Sequence, residues 1–333
     1  MESMKVAILD DYQDVVRTLP GYAGLREHEV TVYTTPASNR DALIERLKDK
    51  EALVLIRERT VIDDALLRQL SQLKLISQTG KISHHLDLAA CTRHQVAVAE
   101  GIGSPIAPTE LCWSLIMAAS RHLLAYCEHL QQGQWQQSGS LGLGRVLNGR
   151  TIGVWGFGKI GQRIARIAAA FEMNVLVWGS EGSRELAVSQ GYRAAASKAE
   201  FFAQSDVLTL HLRLNEMTRH CVTAADLALM KPDALFVNTS RAELVESGAL
   251  VQALQAGRPG FAALDVYETE PALPGDEPLL TMPNVLCSPH LGFVEQDSYA
   301  LYFEKAFANL MRYSNGQPTH IANPEVLTTA RHQ

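Results

Sequence analysis

Short apolar runs alternate with amphipathic stretches along almost the whole chain, and no other feature limits the possible folds as strongly. The runs "KVAILD" (5–10), "VTVY" (30–33), "ALVLI" (52–56), "LKLIS" (73–77) and "VAVA" (96–99) read as strands of a first unit. Helical segments such as 38–49 and 62–71 separate several of them. Strands interleaved with helices predict parallel sheets flanked by helices, an α/β class. At 333 residues the chain exceeds what one hydrophobic core usually organises, so two domains are expected.

From Pro105 to about Gln132 the apolar residues fall three and four apart, which predicts one long helix. The polar, glycine-rich "QGQWQQSGSLGLGRVLNGR" follows, and then a second series of strands: "TIGVWG", "NVLVW", "DVLTLHL", "ALFVN", "FAALDV" and "NVLCS". No short repeat or low-complexity tract interrupts this order.

A formal net charge of −6 gives no electrostatic reason to expect nucleic acid or an anionic membrane as partner. No apolar run reaches the length that crosses a bilayer, and "MESMKVAILDDYQ" lacks the basic-then-apolar pattern of a leader, so a cytoplasmic protein is expected. Cys91, Cys112, Cys127, Cys221 and Cys287 lie far apart without a CxxC pair, which suggests neither a disulfide framework nor a zinc site. His84 and His85 are adjacent but lack acidic or cysteine neighbours at ligand spacing, so no metal is expected.

Gly156, Gly158 and Gly161 form GxGxxG directly after an apolar strand and open the helix "IGQRIARIAAAF". Such a turn permits close backbone approach to a pyrophosphate, with free N–H groups and the positive helix dipole facing it. Phe157, Lys159 and Ile160 complete the turn. An acid about 20 residues on holds the ribose hydroxyls of NAD. Here the end of strand "NVLVW" is Gly179, followed by Ser180, Glu181, Gly182, Ser183 and Arg184. Without the carboxylate a 2′-phosphate is no longer repelled, and Ser180 with Arg184 could bind one. Glu181 opposes that, unless it turns to the ribose, so NAD and NADP both stand.

Three later segments carry chemistry: "NTSRAELVE" (238–246), "LDVYETEP" (264–271) and "CSPHLG" (287–292). Each follows an apolar strand, and loops after strands gather beside the cofactor crevice of a parallel sheet. Singly, Arg241, Glu270 and His290 have ordinary explanations as a surface cation, a loop acid and a structural histidine. Together they meet the needs of hydride transfer to a 2-oxo acid: a cation to hold and polarise the substrate, and a histidine beside a carboxylate to protonate the carbonyl oxygen.

From "AILDDYQ" through "LKLISQTG", the glycine turn, "DVLTLHL", "LMKPDALFVNTSR" and "ALDVYETEP" to "NVLCSPHLG", the chain resembles the D-isomer-specific 2-hydroxyacid dehydrogenases. The resemblance implies two doubly wound parallel-sheet domains. A Rossmann-type NAD(P) domain would span 105–290, and a smaller flavodoxin-like substrate domain would join 1–104 to 291–333. It implies that Arg241 pairs with the substrate carboxylate and carbonyl, that His290 is the acid in reduction and base in oxidation, and that Glu270 supports it. Asp265 would lie near the nicotinamide carboxamide, with Thr239, Ser240, His211 and Leu212 lining the cofactor. Backbone amides at Gly80, Lys81 and Ile82 would hold the substrate carboxylate from the other domain, with domain closure during catalysis. The resemblance also implies a homodimer through the cofactor domain, interlocked by the helix from Pro105 and its extension.

Three positions depart from the family pattern. Ala242 replaces the glycine after the arginine, Ile82 replaces the second glycine of the carboxylate loop, and Gly179 replaces the aspartate. Lys81 could recognise a second anionic group on the substrate, or simply face solvent. A non-catalytic dinucleotide-sensing protein of the corepressor kind, on the same fold, is the alternative to an enzyme. Formate dehydrogenase is disfavoured by Glu270.

Overall fold

The computed structural model describes residues 3–328, so residues 1–2 and 329–333 of the expected substrate domain lie outside the described residues. Two compact units emerge, 1–104 with 295–333, and 105–294.

In the first unit the strands β1 (Lys5–Ile8), β2 (Glu29–Val32), β3 (Ala52–Leu55), β4 (Leu75–Gln78) and β5 (Ala97–Ala99) pair in parallel in the order β2-β1-β3-β4-β5. Every residue of β3, β4 and β5 is buried, as expected for parallel strands covered on both faces. Helices α1 (Arg40–Leu47), α2 (Asp64–Leu67) and α3 (Leu88–Arg93) begin where Asn39, Asp63 and Asp87 accept first-turn amides. The predicted helix over 62–71 is thus only α2, and the chain after it continues through i to i+3 bonds such as Gln69 to Leu66 and Leu70 to Leu67.

The expected single helix from Pro105 is two, α4 (Ile106–Ser120) and α5 (Leu123–Gln131). His122 between them has φ 48° and ψ 36°, a left-handed conformation. The returning chain explains the break: the Arg145 amide takes the Ser120 carbonyl at 2.8 Å, which removes an acceptor from the helical ladder. His122 then packs its ring on Phe261, 5.0 Å between centroids.

Strands β6 (Thr151–Trp155), β7 (Asn174–Trp178), β8 (Arg193–Ala194), β9 (Val207–Leu210), β10 (Leu235–Asn238), β11 (Phe261–Leu264) and β12 (Val285–Cys287) form one parallel sheet ordered β12-β11-β10-β9-β6-β7-β8. The two-residue β8 carries no periodic signal and was not expected. Helices α6 (Lys159–Ala170), α7 (Glu181–Ser189), α8 (Lys198–Gln204), α9 (Ala224–Ala228) and α10 (Ala249–Gln255) separate the strands. One face of the sheet buries Phe201, Phe202 and Phe236, the first two edge-to-face at 5.7 Å. Each such ring removes ~150–250 Å² from water, roughly 4–6 kcal/mol as an upper bound. The other face packs α4 and α6 through Ile116, Ile164 and Ala168.

The sheet order reverses between β6 and β9, since the chain moves outward through β7 and β8 and then back past β6. Such a reversal opens a crevice at the carboxyl ends of the strands, and it fixes where the site lies. The last helix, Gln296–Ser314, returns to the first unit, burying Tyr302, Phe303, Phe307 and Leu310, and its Ala306 carbonyl accepts the Ser77 hydroxyl at 2.8 Å.

Candidate active site

The turn after β6 sits at the reversal. Gly156 has φ 96°, and a Cβ there would collide with the His211 carbonyl oxygen; a Cβ at Gly161 would collide with the carbonyl of Gly156. Those two glycines serve packing. Gly158, the N-cap of α6, is different: nothing lies within 4 Å of the place its Cβ would take. That open cradle in front of the helix N-terminus fits a dinucleotide pyrophosphate. Lys159 and Ile160 begin α6, while Phe157 is buried against Tyr192 at 5.9 Å, so only its backbone belongs to the turn.

His211 and Leu212 follow β9 and border the same turn. Burial drives His211 down to about 4, so its ring is neutral, with Nε2 3.1 Å from the Thr209 hydroxyl. At the end of β7, the Trp178 carbonyl accepts the Gly156 amide at 2.9 Å. Gly179 has φ 153°, a conformation side chains rarely adopt, and a Cβ there would meet Ser183 Cβ at 3.3 Å. A side chain is therefore strained at the position where the usual acid would stand. Ser180 caps α7, accepting the Ser183 amide, and the Arg184 guanidinium lies over the Trp178 ring at 5.0 Å with its buried Nε making no hydrogen bond.

The ends of β9 to β12 are neighbours along one edge, about 15 Å across at ~4.8 Å per strand. After β10, Asn238 shapes the loop: its Oδ1 accepts the Ser240 amide at 3.0 Å and its Nδ2 donates to the Arg241 carbonyl at 2.8 Å. Ser240 Oγ donates to the Leu210 carbonyl at 2.6 Å, tying this loop to β9 beside Thr239. Arg241 Nη1 donates to the Ser240 carbonyl at 2.5 Å, which folds the guanidinium back on its own turn. Ala242 opens the following 3₁₀ turn with no positive φ among residues 241–244, so the methyl is accommodated.

After β11, Glu270 accepts the Tyr267 amide through Oε1 at 3.0 Å, and its Oε2 lies 2.7 Å from His290 Nδ1. The pair is partly exposed, 27% for His290 and 36% for Glu270, so it is reachable from solution. With Nδ1 held by the carboxylate, Nε2 is the nitrogen that can exchange a proton with a substrate. Asp265 is fully buried; burial raises its carboxyl above the usual range, against the lowering effect of Ser288, the loop amides and the His290 charge. Tyr267, Ser288 and Asn238 are site residues that single-sequence reasoning missed. Only Asn238, a turn former at a strand end, left a local signal.

In the first unit, Lys81 Nζ pairs with Glu100 at 2.8 Å, and the other Glu100 oxygen accepts the Ile82 amide at 3.1 Å. The Lys81 charge is therefore paired with a residue beyond β5, while its side chain stays largely exposed. Gly80 packs against the Arg57 guanidinium, whose flexible end would have to move to admit a Cβ; Arg57 was likewise not anticipated.

The description "D-isomer specific 2-hydroxyacid dehydrogenase, NAD binding domain" fits residues 113–292. A D-3-phosphoglycerate dehydrogenase of Methanocaldococcus jannaschii is 33% identical over 291 residues, 87% of this chain and 53% of that protein, so the chain spans about half the length of that relative. A glyoxylate reductase of Aeropyrum pernix is 33% identical over 297 residues, 86% of this chain and 87% of its own. The crystal structure of a phosphoglycerate oxidoreductase from Vibrio cholerae matches with a TM-score of 0.92 at 63% identity, over 94% of this chain and 99% of that one.

Proposed function

Because the chain belongs to the D-isomer-specific 2-hydroxyacid dehydrogenase family, we propose that it interconverts a 2-oxo acid and its D-2-hydroxy acid, with Arg241 as substrate-binding cation and His290 with Glu270 as the acid–base pair. The observation that carries this reading is the 2.7 Å contact between His290 and Glu270 on the same sheet edge as the dinucleotide turn. The turn 156–161 would hold NAD(P)H, and the bound cofactor would supply the hydride. Arg241 binds the carboxylate and polarises the carbonyl, and His290 Nε2 gives a proton to the carbonyl oxygen as charge develops there. Glu270 keeps the imidazolium oriented. The amides of Gly80 and Lys81 belong to the proposed substrate-binding set, the Ile82 amide being taken by Glu100, and the Lys81–Glu100 pair supports a role for Lys81 in shaping that loop rather than reading a second anion.

On the cofactor, the absence of an acid at 179 and the nearby Arg184 support tolerance of a 2′-phosphate. Relatives named as oxidoreductases favour the enzyme over the dinucleotide-sensing reading. A homodimer through the second unit is supported by the exposed apolar side chains of Leu123, Leu124, Leu130, Trp135, Leu143 and Val146. No helix among the described residues is long and apolar enough to cross a membrane, and the five cysteines are free, which suits a reducing cytoplasm.

The test is oxidation of NADH and NADPH against glyoxylate, hydroxypyruvate, pyruvate, 2-oxoglutarate and phosphohydroxypyruvate. Turnover of at least one of these 2-oxo acids is the expected result. Dinucleotide binding without turnover of any would favour the sensing alternative.

A further inference from the structure

Glu100 follows β5, and its backbone is tied on three sides. Its amide donates to the His320 carbonyl at 2.9 Å, its carbonyl accepts Asn309 Nδ2 at 3.0 Å, and the next amide, that of Gly101, donates to the Gly80 carbonyl at 2.9 Å. These bonds fix the root of the side chain beside the loop 80–82. The carboxylate then holds two groups of that loop at once: one oxygen accepts the Ile82 amide at 3.1 Å and the other pairs with Lys81 Nζ at 2.8 Å.

Both groups are ones that a substrate could use. With the amides of Gly80 and Lys81 receiving the carboxylate of a 2-oxo acid, the Ile82 amide and the Lys81 ammonium are the next donors along the loop. A substrate with a second anionic group would need that ammonium. The ion pair itself is a weak obstacle, since the Lys81 side chain is 66% exposed and exposed pairs contribute little. The stronger obstacle is the charge left behind. Burial pushes the Glu100 pKa up, but Lys81 and the Ile82 amide prevail and hold it below the usual carboxylate value, so the group is ionised. Displacing Lys81 would leave this anion beside the incoming one, and juxtaposed like charges are a means by which sites reject a wrong partner. The surroundings show what a neutral residue 100 would release. Desolvation, followed by the charges of Lys305, Arg312 and Lys81, lowers the pKa of His320, whose Nε2 is 3.1 Å from Lys305 Nζ. Three cations act on the same corner, and the Glu100 carboxylate offsets them.

We propose that Glu100 is a specificity-determining residue, which by holding Lys81 and the Ile82 amide selects 2-oxo acids with an uncharged remaining substituent over those that carry a second anionic group. The proposal rests on reading the Gly80 and Lys81 amides as the place of the substrate carboxylate. It names the substrate class of that site: monoanionic acids such as glyoxylate, pyruvate and hydroxypyruvate, in preference to 2-oxoglutarate and phosphohydroxypyruvate.

The experiment compares the full chain with Glu100→Gln, which keeps an oxygen for the Ile82 amide and removes the charge, and with Glu100→Gln/Lys81→Gln, which also removes the freed ammonium. Values of kcat/KM are measured for hydroxypyruvate and phosphohydroxypyruvate, two acids that differ only by the phosphate, at low and high salt. The wild type should prefer hydroxypyruvate. The phosphohydroxypyruvate-to-hydroxypyruvate ratio should rise about tenfold in Glu100→Gln and fall back in the double variant. High salt should shrink the gain. An unchanged ratio in Glu100→Gln, a gain that survives the loss of Lys81, or a wild type that already prefers phosphohydroxypyruvate would overturn the proposal.

The same selection read at equilibrium separates it from the functional reading. With saturating oxidised dinucleotide no hydride can pass to a 2-oxo acid, so calorimetric Kd values for the two acids report recognition alone. Glu100→Gln should lower the ratio of the phosphohydroxypyruvate Kd to the hydroxypyruvate Kd about tenfold. A wild-type chain that binds these acids but reduces neither sinks the dehydrogenase reading and leaves the role of Glu100 to be decided by the Kd ratio. Binding of neither acid, by wild type and variant alike, overturns the proposal.

Discussion

The glycines of the phosphate turn make separable predictions, and Gly158→Ala is the sharpest of them. At φ −80° and ψ −160° the backbone suits alanine, and nothing stands within 4 Å of the new methyl. The fold should therefore lose little: a gain of ~0.4–1 kcal/mol from the stiffer unfolded chain offsets a comparable loss at the helix N-cap. Binding should suffer, because the methyl fills the space a pyrophosphate must enter. Overpacking costs ~1–3 kcal/mol, which at 1.4 kcal/mol per decade weakens Kd about 5- to 150-fold. Gly156→Ala makes the contrast. There the methyl collides with the His211 carbonyl, whose carbon would be only 3.0 Å away, at a backbone φ of 96°. Strain and overpacking together reach ~2–4 kcal/mol, or a Tm lower by roughly 5–15 °C. Calorimetric melts and NADH titrations of both variants give the answer. If Gly158→Ala binds dinucleotide as tightly as wild type, the turn does not cradle the phosphates and the argument from its open space is wrong.

Four further predictions address single groups. Arg241→Ala should cut kcat/KM for a 2-oxo acid by ~10²–10³-fold while dinucleotide affinity is kept; loss of dinucleotide binding with unchanged substrate kinetics contradicts it. His290→Gln should lower kcat by ~10²–10⁴-fold with substrate binding largely retained, and a full-rate variant removes His290 from the mechanism. Gly179→Asp should reduce the NADPH-to-NADH ratio of kcat/KM by about tenfold or more through carboxylate–phosphate repulsion, and lower Tm because the backbone there resists a side chain; an unchanged ratio in parallel assays refutes it. Asp206 is buried, which raises its pKa, but Lys231 at 2.8 Å and the Thr151 amide at 2.8 Å prevail and hold it below the usual carboxylate value. Its stabilisation is thus complete above about pH 4 and fades as pH falls through the lower folded value. Urea unfolding between pH 3 and 7 should show Asp206→Asn less stable by ~1–3 kcal/mol at neutral pH with a shallower acid limb, whereas a curve parallel to wild type rejects the linkage.

The strands were legible because burial in a parallel sheet is written into short, continuous apolar runs such as "ALVLI" and "DVLTLHL". The glycine turn was legible because its chemistry is local: strand, turn and helix are consecutive. The helix break at His122 was not, since the apolar spacing continues on both sides and the acceptor lost from the ladder goes to Arg145, 25 residues away from Ser120. The partner of Lys81 was not legible either, since Glu100 lies 19 residues on in sequence.

The catalytic segments occupy a middle position. Their residue types and their place after strands could be read, but not which strand ends share an edge. The order β12-β11-β10-β9-β6 supplies that, because it sets the loops carrying His290, Glu270, Arg241 and His211 side by side on the run that leads to the dinucleotide turn. Once they are adjacent, the short polar residues between the recognised ones acquire work. Asn238 shapes the arginine turn, and Ser288 and Asp265 bind each other across two loops 23 residues apart in sequence. A reader of one sequence sees a serine and an aspartate of ordinary kind. It is the pairing of β11 with β12, through registers such as Leu264 with Cys287, that places those two side chains within hydrogen-bond reach.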